Sequence, residues 1–255
     1  MYDKKHMKGM IFAAGVGSRL RPFTDEHPKA LAPVGGKPML RRVIEKMRAA
    51  GIGRIVVNVH HFPGQIRSYL EENDNFGAEI MISDESDTLL DTGGGLLKAA
   101  RYFGGEEPIL VHNADILTDF EISAMSARHA ECTPLATLLA FPRESSRQLY
   151  FDTEGNLRGW QNLKSGELKP AGFNPDLQGL TPLAFGGVHI VSPAIFPLLE
   201  EYAERNGEVF SITPFYLEIA EGAKIKAFSP ASPFLWHDIG SPEKLAAAEK
   251  ALITF

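Results

Sequence analysis

Arg19, Arg21 and Lys29 stand close together in a stretch, Met10 to Val34, that begins as an apolar run and breaks at Gly15 and Gly17. Ala13, Ala14 and Gly15 carry almost no side chain, so the backbone there can approach a flat or anionic ligand with its N–H groups turned toward it. Pro22, Pro28 and Pro33 fix the path of the loop that carries the cations, which limits the entropy lost on binding. Positions 19–42 hold six Arg/Lys and two acids, a local charge of +4 in a chain whose net charge is −6. A positive pocket in an acidic protein suits a small, specific anion better than a long polyanion.

Two carboxylates could face such a pocket from far downstream. Asp115 ends the apolar run P-I-L-V-H-N-A-D, and Asp238 follows a second short apolar segment. Each has a plainer reading, Asp115 as the cap of a helix beginning near Asp119 and Asp238 as a turn former before Gly240. Asp91-Thr92-Gly93-Gly94-Gly95 opens a helix after a loop. Its glycines would let main chain lie against a nucleobase, with Asp91 or Thr92 reading the base edge, or they are simply a poor-forming helix start. Asn58 and His60 could contact a base or ribose, or serve only the sheet edge. His112, His189 and His237 have no ligand spacing, and Cys132 is the single cysteine, so neither zinc nor a disulfide framework is expected.

Positioning these groups requires strands that end together. Met10 to Phe12, Arg54 to Val59, Glu79 to Ser83 and Pro108 to His112 read as buried strands. Helices are expected over 38–50, with Met39, Leu40, Val43, Ile44 and Met47 on one stripe, over 65–72, and from Gly93 to about Phe103. Alternation over the first 130 residues predicts an α/β fold with a Rossmann-like, doubly wound, mostly parallel sheet. Ligands bind beyond the carboxyl ends of such strands, where segments 13–29, 91–95 and 113–115 all fall. Beyond residue 133 the pattern turns β-rich, with strands at 133–141, 149–152, 157–160 and 183–191 and a long irregular loop at 161–180. Helices at 193–205 and 211–221, strands at 223–228 and 234–238, and a helix over 242–252 capped by Ser241 close the chain. One domain is expected over 1–255, with a first half at about 8–132 and a closing half at about 133–255, which the resemblance described below would make the nucleotide-binding and the sugar-binding and closing halves.

Composition excludes several classes. A hydrophobic content of 44% and a charged content of 23% are ordinary for a globular protein, and a pI near 5.8 gives no support to nucleic-acid binding. The first nine residues lack the apolar core of a signal peptide, and no apolar run approaches the roughly 20 residues of a membrane span. A cytoplasmic location, with no membrane or nucleic-acid partner and a monomer or small homo-oligomer, is the expectation. Leu20 stands where a dinucleotide-binding G-x-G-x-x-G would need its third glycine, which argues against an oxidoreductase.

The full string A-A-G-x-G-x-R-L-x-P-x-T-x-x-x-P-K-x-L-x-P-V, read from Ala13 to Val34, resembles the signature of sugar-1-phosphate nucleotidylyltransferases. The resemblance extends to N-A-D at 113–115 and W-H-D-I-G-S-P-E-K-L at 236–245, so it spans nearly the whole chain. It implies the nucleotide-diphospho-sugar transferase type of fold, with a β-rich sugar-binding insertion. It also implies attack by a sugar 1-phosphate oxygen on the α-phosphorus of a nucleoside triphosphate, releasing pyrophosphate. By the same resemblance Arg19 would hold the β- and γ-phosphates and Lys29 would bridge the α-phosphate and the acceptor phosphate. Asp115 and Asp238 would bind Mg²⁺, and Ala13, Ala14, Gly15, Gly17, Asp91, Thr92, Gly93 and Gly94 would cradle the nucleotide. Gly186 and Gly187 would bring main chain to the acceptor sugar, although a plain strand bulge also explains them. The family's V-E-K-P acceptor segment is absent; R-E-S-S-R-Q-L at 143–149 occupies its place, with Arg147 a candidate sugar or phosphate contact.

D-T-G-G-G resembles the E-T-G-G-G of uridylyltransferases acting on N-acetylmuramic acid 1-phosphate more than the G-T-A-G of mannose-1-phosphate guanylyltransferases. UTP and N-acetylmuramic acid 1-phosphate are therefore the favoured substrates, in cell-wall recycling. GTP with mannose 1-phosphate, and a catalytically silent nucleotide-sugar-binding subunit, are the alternatives.

Overall fold

A computed structural model describes residues 7–254; the expectation about a signal peptide falls on residues 1–9, of which 1–6 lie outside the described residues. The strands are β1 (Lys8–Phe12), β2 (Pro33–Val34), β3 (Lys37–Pro38), β4 (Arg54–Val59), β5 (Glu79–Asp84), β6 (Ile109–Asn113), β7 (Ile116–Thr118), β8 (Ala136–Phe141), β9 (Arg147–Phe151), β10 (Leu157–Asn162), β11 (Leu168–Lys169), β12 (Thr181–Val191), β13 (Ile225–Phe228) and β14 (Trp236–Asp238). The helices are α1 (Phe23–Glu26), α2 (Met39–Ala49), α3 (Pro63–Glu72), α4 (Asp91–Ala99), α5 (Ile122–Cys132), α6 (Ile195–Asn206), α7 (Ile212–Ile219) and α8 (Pro242–Thr254).

The main sheet runs β11-β10-β9-β12-β6-β1-β4-β5, with β8 and β13 branching from β12. β5, β4, β1 and β6 are parallel neighbours, as the alternating pattern requires. Successive residues of these strands point to opposite faces and feed two cores. Met10, Val56 and Val111 supply one, and Ile11, Val57 and Leu110 the other. The apolar stripe of α2, from Met39 to Met47, is fully covered. At about 25 cal/mol per Å² of apolar surface buried, each such side chain contributes about 1.5–3 kcal/mol of burial free energy.

β12 joins the two halves. Its Val188–Val191 end runs antiparallel to β6, while Thr181–Leu183 pairs with β9. Between Phe185 and His189 its register against β8 shifts, and Gly186 and Gly187 sit in that irregularity. The stretch 161–180 is not wholly irregular as expected, because Leu168 and Lys169 pair with Gln161 and Trp160 to extend the β9–β10 hairpin. The helix expected near Asp119 begins at Ile122. Asp119 is spent elsewhere, its Oδ1 accepting the Leu235 N–H at 2.6 Å.

Two small features set the active end. β14 pairs antiparallel with β7, placing Asp238 opposite Ile116, and the Ile239 N–H donates to the Asp115 carbonyl at 3.0 Å. A third apolar cluster, including Leu20, Val34, Met39, Leu117, Ile239 and Ala248, packs the cationic loop against the C-terminal segment. Residues more than 200 apart in sequence are thereby held together by burial. Among the described residues no helix is long and apolar enough to cross a membrane.

Candidate active site

At the end of β1 the Ala13 N–H donates to Asn58 Oδ1 at 2.7 Å. Asn58 Nδ2 donates to Glu85 Oε1 at 2.7 Å, and Glu85 Oε2 accepts the Leu90 N–H at 3.1 Å. Asn58 and Glu85 are buried. This chain of bonds ties the exits of β1 and β4 to the segment leading into α4. Burial pushes the Glu85 carboxyl above its usual range, and the bonds from Asn58 and Leu90 only partly offset that.

The loop that follows holds two unlike glycines. Gly17 adopts φ +67°, and a Cβ there would lie 2.9 Å from Lys29 Cβ and 3.0 Å from Thr24 Cγ2. It lets the loop close over the lysine stem, and the Thr24 hydroxyl donates to its carbonyl at 2.9 Å. Gly15 has no atom within 4 Å of the equivalent position, so its bare face is turned to open space.

Lys29 reaches Asp115 in a direct ion pair, the ammonium donating to Oδ2. Asp238 Oδ1 accepts the Gly240 N–H at 2.6 Å, and its Oδ2 pairs with Lys244. Burial alone would raise the Asp238 carboxyl; Lys244, the Gly240 N–H and the more distant Lys29 outweigh it and hold Asp238 below the usual carboxylate range. Arg19 lies alongside: a Cβ on Gly240 would be 3.1 Å from Arg19 Nη2 and 2.5 Å from Asp238 Oδ1. Two cations and two carboxylates from three distant segments of the chain thus meet at one place.

A cleft of about 500 Å³ opens at this cluster, lined by the bare backbone at 13–15 and Gly17, Arg19, Lys29, Asp115, Asp91 and Thr92; Gly240 also lines it, whereas Asp238 does not. Gly93 and Gly94 do not line it. Their N–H groups donate to the Phe210 carbonyl at 2.9 and 3.2 Å, and a Cβ on Gly94 would fall 2.0 Å from the Glu208 carbonyl oxygen. These glycines let α4 pack on segment 208–210. Thr92 Oγ1 likewise accepts the Ile212 N–H at 3.0 Å. Asp91, with φ +58°, remains at the rim.

A second cleft of about 600 Å³ meets the first at Asp91 and is lined by Arg143, Arg147, Trp160 and Lys169 among others. Gly186 and Gly187 border neither cleft. A Cβ on Gly187, at φ +73°, would be 3.0 Å from Asn113 Nδ2 and Ile116, so the glycine serves the close approach of β12 to β6.

Asp115 and Asp238 are the residues that fit a hard divalent cation. Mg²⁺ takes one or two carboxylates and fills its remaining positions with waters and phosphate oxygens, and both carboxylates are partly exposed beside the cleft. Among the described residues no cluster of three or more His, Cys, Asp or Glu offers a closed all-protein cage. Glu85, Arg143 and Lys244 were not anticipated from the sequence. An acid directly after an apolar strand was a visible signal for Glu85; Arg143 and Lys244 lie inside segments 143–149 and 236–245, but nothing within those segments singles them out.

A family model described as nucleotidyl transferase matches residues 8–254. An N-acetylmuramate alpha-1-phosphate uridylyltransferase of Caulobacter vibrioides is 31% identical, over 95% of this chain and 96% of its own. One of the same name from Neisseria meningitidis is also 31% identical, over 95% and 97%. A mannose-1-phosphate guanyltransferase of Gibberella zeae is 38% identical, but over only 48% of this chain and 34% of its own. Among solved structures, an apo UDP-glucose pyrophosphorylase superposes with a TM-score of 0.76 at 19% identity, covering 97% and 98% of the two chains. HddC from Yersinia pseudotuberculosis complexed with GMP-PN gives 0.72 at 20%, covering 96% and 99%. These similarities establish the fold.

Proposed function

From its membership of the nucleotidyl transferase family, as a sugar-1-phosphate nucleotidyltransferase, we propose that this chain transfers uridylyl from UTP to N-acetylmuramic acid 1-phosphate. A phosphate oxygen of the acceptor forms the new bond to the α-phosphorus, the bond to the β-phosphate oxygen breaks, and pyrophosphate leaves. The observation that carries the reading is the meeting of Arg19, Lys29, Asp115 and Asp238 at the carboxyl ends of β1 and β6. The choice of UTP and of an N-acetylated acidic sugar rests on the full-length relatives of that activity and on Asp91-Thr92-Gly93-Gly94-Gly95.

In this reaction the bare backbone at 13–15 admits the triphosphate closely. Arg19 offers a planar, permanently charged fork to the β- and γ-phosphates. Lys29, already held at the cleft by Asp115, lies between the α-phosphate and the acceptor phosphate, so charge compensation is in place before the reactants arrive. Asp115 and Asp238 would hold Mg²⁺, which when bound neutralises phosphate charge and helps align the groups. Asn58 and Glu85 act as positioning residues by fixing Ala13. Residues from about 133 onward form the acceptor side, and a role in cytoplasmic cell-wall recycling belongs to the same proposal.

The test is a pyrophosphate-release screen of five nucleoside triphosphates against a panel of sugar 1-phosphates. UTP with N-acetylmuramic acid 1-phosphate is expected to exceed every other pair. A preference for GTP with mannose 1-phosphate would replace the substrate assignment, and no turnover with any pair would leave the nucleotide-sugar-binding subunit as the better reading.

A further inference from the structure

The second cleft holds more positive charge than its own carboxylates use. Lys169 and Glu167 pair with each other at 3.1 Å. Asp91 sits at the border with the nucleotide cleft and accepts the N–H of Thr92 at 2.6 Å. Arg143 and Arg147 are left with no carboxylate within ion-pairing distance among the described residues.

The Arg143 guanidinium is prepared in place, its Nη1 donating to the Glu144 carbonyl at 3.2 Å, while Arg147 is exposed and fixed through its backbone. Arg143 lies over the Trp236 ring at 4.2 Å and donates through Nη2 to the Phe185 carbonyl at 2.9 Å. Trp236 is itself fixed by its Nε1 donating to the Gly186 carbonyl at 2.9 Å. Arg143 Nε is buried with no hydrogen-bond partner among the described residues. The loop between the two arginines is pinned as well. Ser145 Oγ accepts the Arg147 N–H at 3.2 Å, and Gln148 Nε2 donates to the Ser145 carbonyl at 3.2 Å. Trp160 offers an aromatic wall on the same cleft. A stacked, partly desolvated arginine and a free one lining the same cleft suit a planar anion, which can accept from two N–H groups at once.

The acceptor phosphate cannot be that anion while it attacks the α-phosphorus, because its place is then beside Lys29 in the first cleft. We propose that Arg143 and Arg147 bind a second anionic group of the acceptor, a carboxylate carried on the sugar itself, and thereby select acidic sugar 1-phosphates over neutral ones. This rests on the sugar-1-phosphate nucleotidyltransferase reading and adds to it the residues that set acceptor class. It also gives the irregularity at Gly186 a second role, since the Phe185 and Gly186 carbonyls orient the arginine and its stacking partner.

The test compares acceptors that differ only at that group, with UTP: N-acetylmuramic acid 1-phosphate, its lactyl carboxamide, and N-acetylglucosamine 1-phosphate, which lacks the lactyl ether. The wild-type protein is expected to favour the carboxylate over the carboxamide by about tenfold or more in kcat/KM, the scale of a charge-assisted hydrogen bond. Arg147→Gln, at an exposed position, should erase most of that ratio through KM for the acid alone. Arg143→Lys keeps the charge but loses the planar fork, and should reduce the ratio as well. Equal losses on all three acceptors in both variants, or an unchanged ratio, would overturn the proposal. Turnover of the neutral acceptor in every variant keeps that outcome distinct from failure of the underlying enzyme assignment.

Discussion

Lys29 and Asn58 are both at the first cleft, yet their substitution should fail differently. Lys29→Ala removes a charge where charge develops, so kcat is expected to fall by about 10²–10³-fold or more in a protein that still folds. Asn58→Leu strands the Ala13 N–H and the Glu85 carboxyl in the interior. It should cost about 1–3 kcal/mol in urea unfolding and raise KM for the triphosphate through a loosened 13–15 backbone. An unaltered KM in a folded Asn58→Leu protein would remove Asn58 from the positioning role. At this scale the cationic string was readable because its charged side chains stand beside bare and proline-fixed backbone, and the two aspartates were candidates because each follows a short apolar segment. Lys244 and Arg143 lie in segments 236–245 and 143–149, but their roles were not readable, because a lone cation carries no local sign of the partner that folding brings to it.

The glycines divide by what their missing Cβ would meet, which is a property of element packing rather than of motif. Gly94→Ala would drive a methyl into the Glu208 carbonyl, so α4 must move off segment 208–210. A loss of about 1–3 kcal/mol is expected from such overpacking. Gly15→Ala meets nothing in the protein, and should leave the melting temperature within experimental error while raising KM for the triphosphate. Paired calorimetry and kinetics on the two variants check this; a destabilised Gly15→Ala with normal KM would contradict it. Sequence periodicity located α2, β4 and β5 nearly to the residue because one buried stripe or run defines each. It missed β11 and displaced the start of α5, since a two-residue pairing and an aspartate bonded to a distant backbone leave no periodic trace.

Three buried histidines give the whole molecule a pH dependence. Burial holds His112 and His129 at about 4 and His189 at about 3, against an ordinary value of 6.5, so all three are neutral in the fold. Below pH 6.5 the unfolded chain takes up protons that the folded chain refuses, so stability is full above that pH and falls as pH drops toward 4. The slope should approach three protons, about 4 kcal/mol per pH unit at its steepest. His189 has neither ring nitrogen hydrogen-bonded among the described residues and packs against Phe12, Phe185 and Tyr216. His189→Phe is therefore expected to remove about one proton from that slope in urea titrations between pH 7.5 and 5; an unchanged slope would contradict it. The parallel half of the fold was legible as a whole because each buried strand must feed two cores. The meeting of β7 with β14, on which the site depends, was legible only through the family resemblance.

Under the proposed function Lys29, which pairs with Asp115 at the cleft, promotes attack on the α-phosphorus. Supplying UTP labelled at the α-phosphate, N-acetylmuramic acid 1-phosphate and Mg²⁺ to the wild-type protein and to Lys29→Met tests it directly. The label is predicted to appear in the nucleotide sugar, with one unlabelled pyrophosphate per product, and to fall by at least about a hundredfold in rate in the folded variant. Label transfer at the wild-type rate by Lys29→Met, or pyrophosphate released without sugar 1-phosphate, would contradict the account.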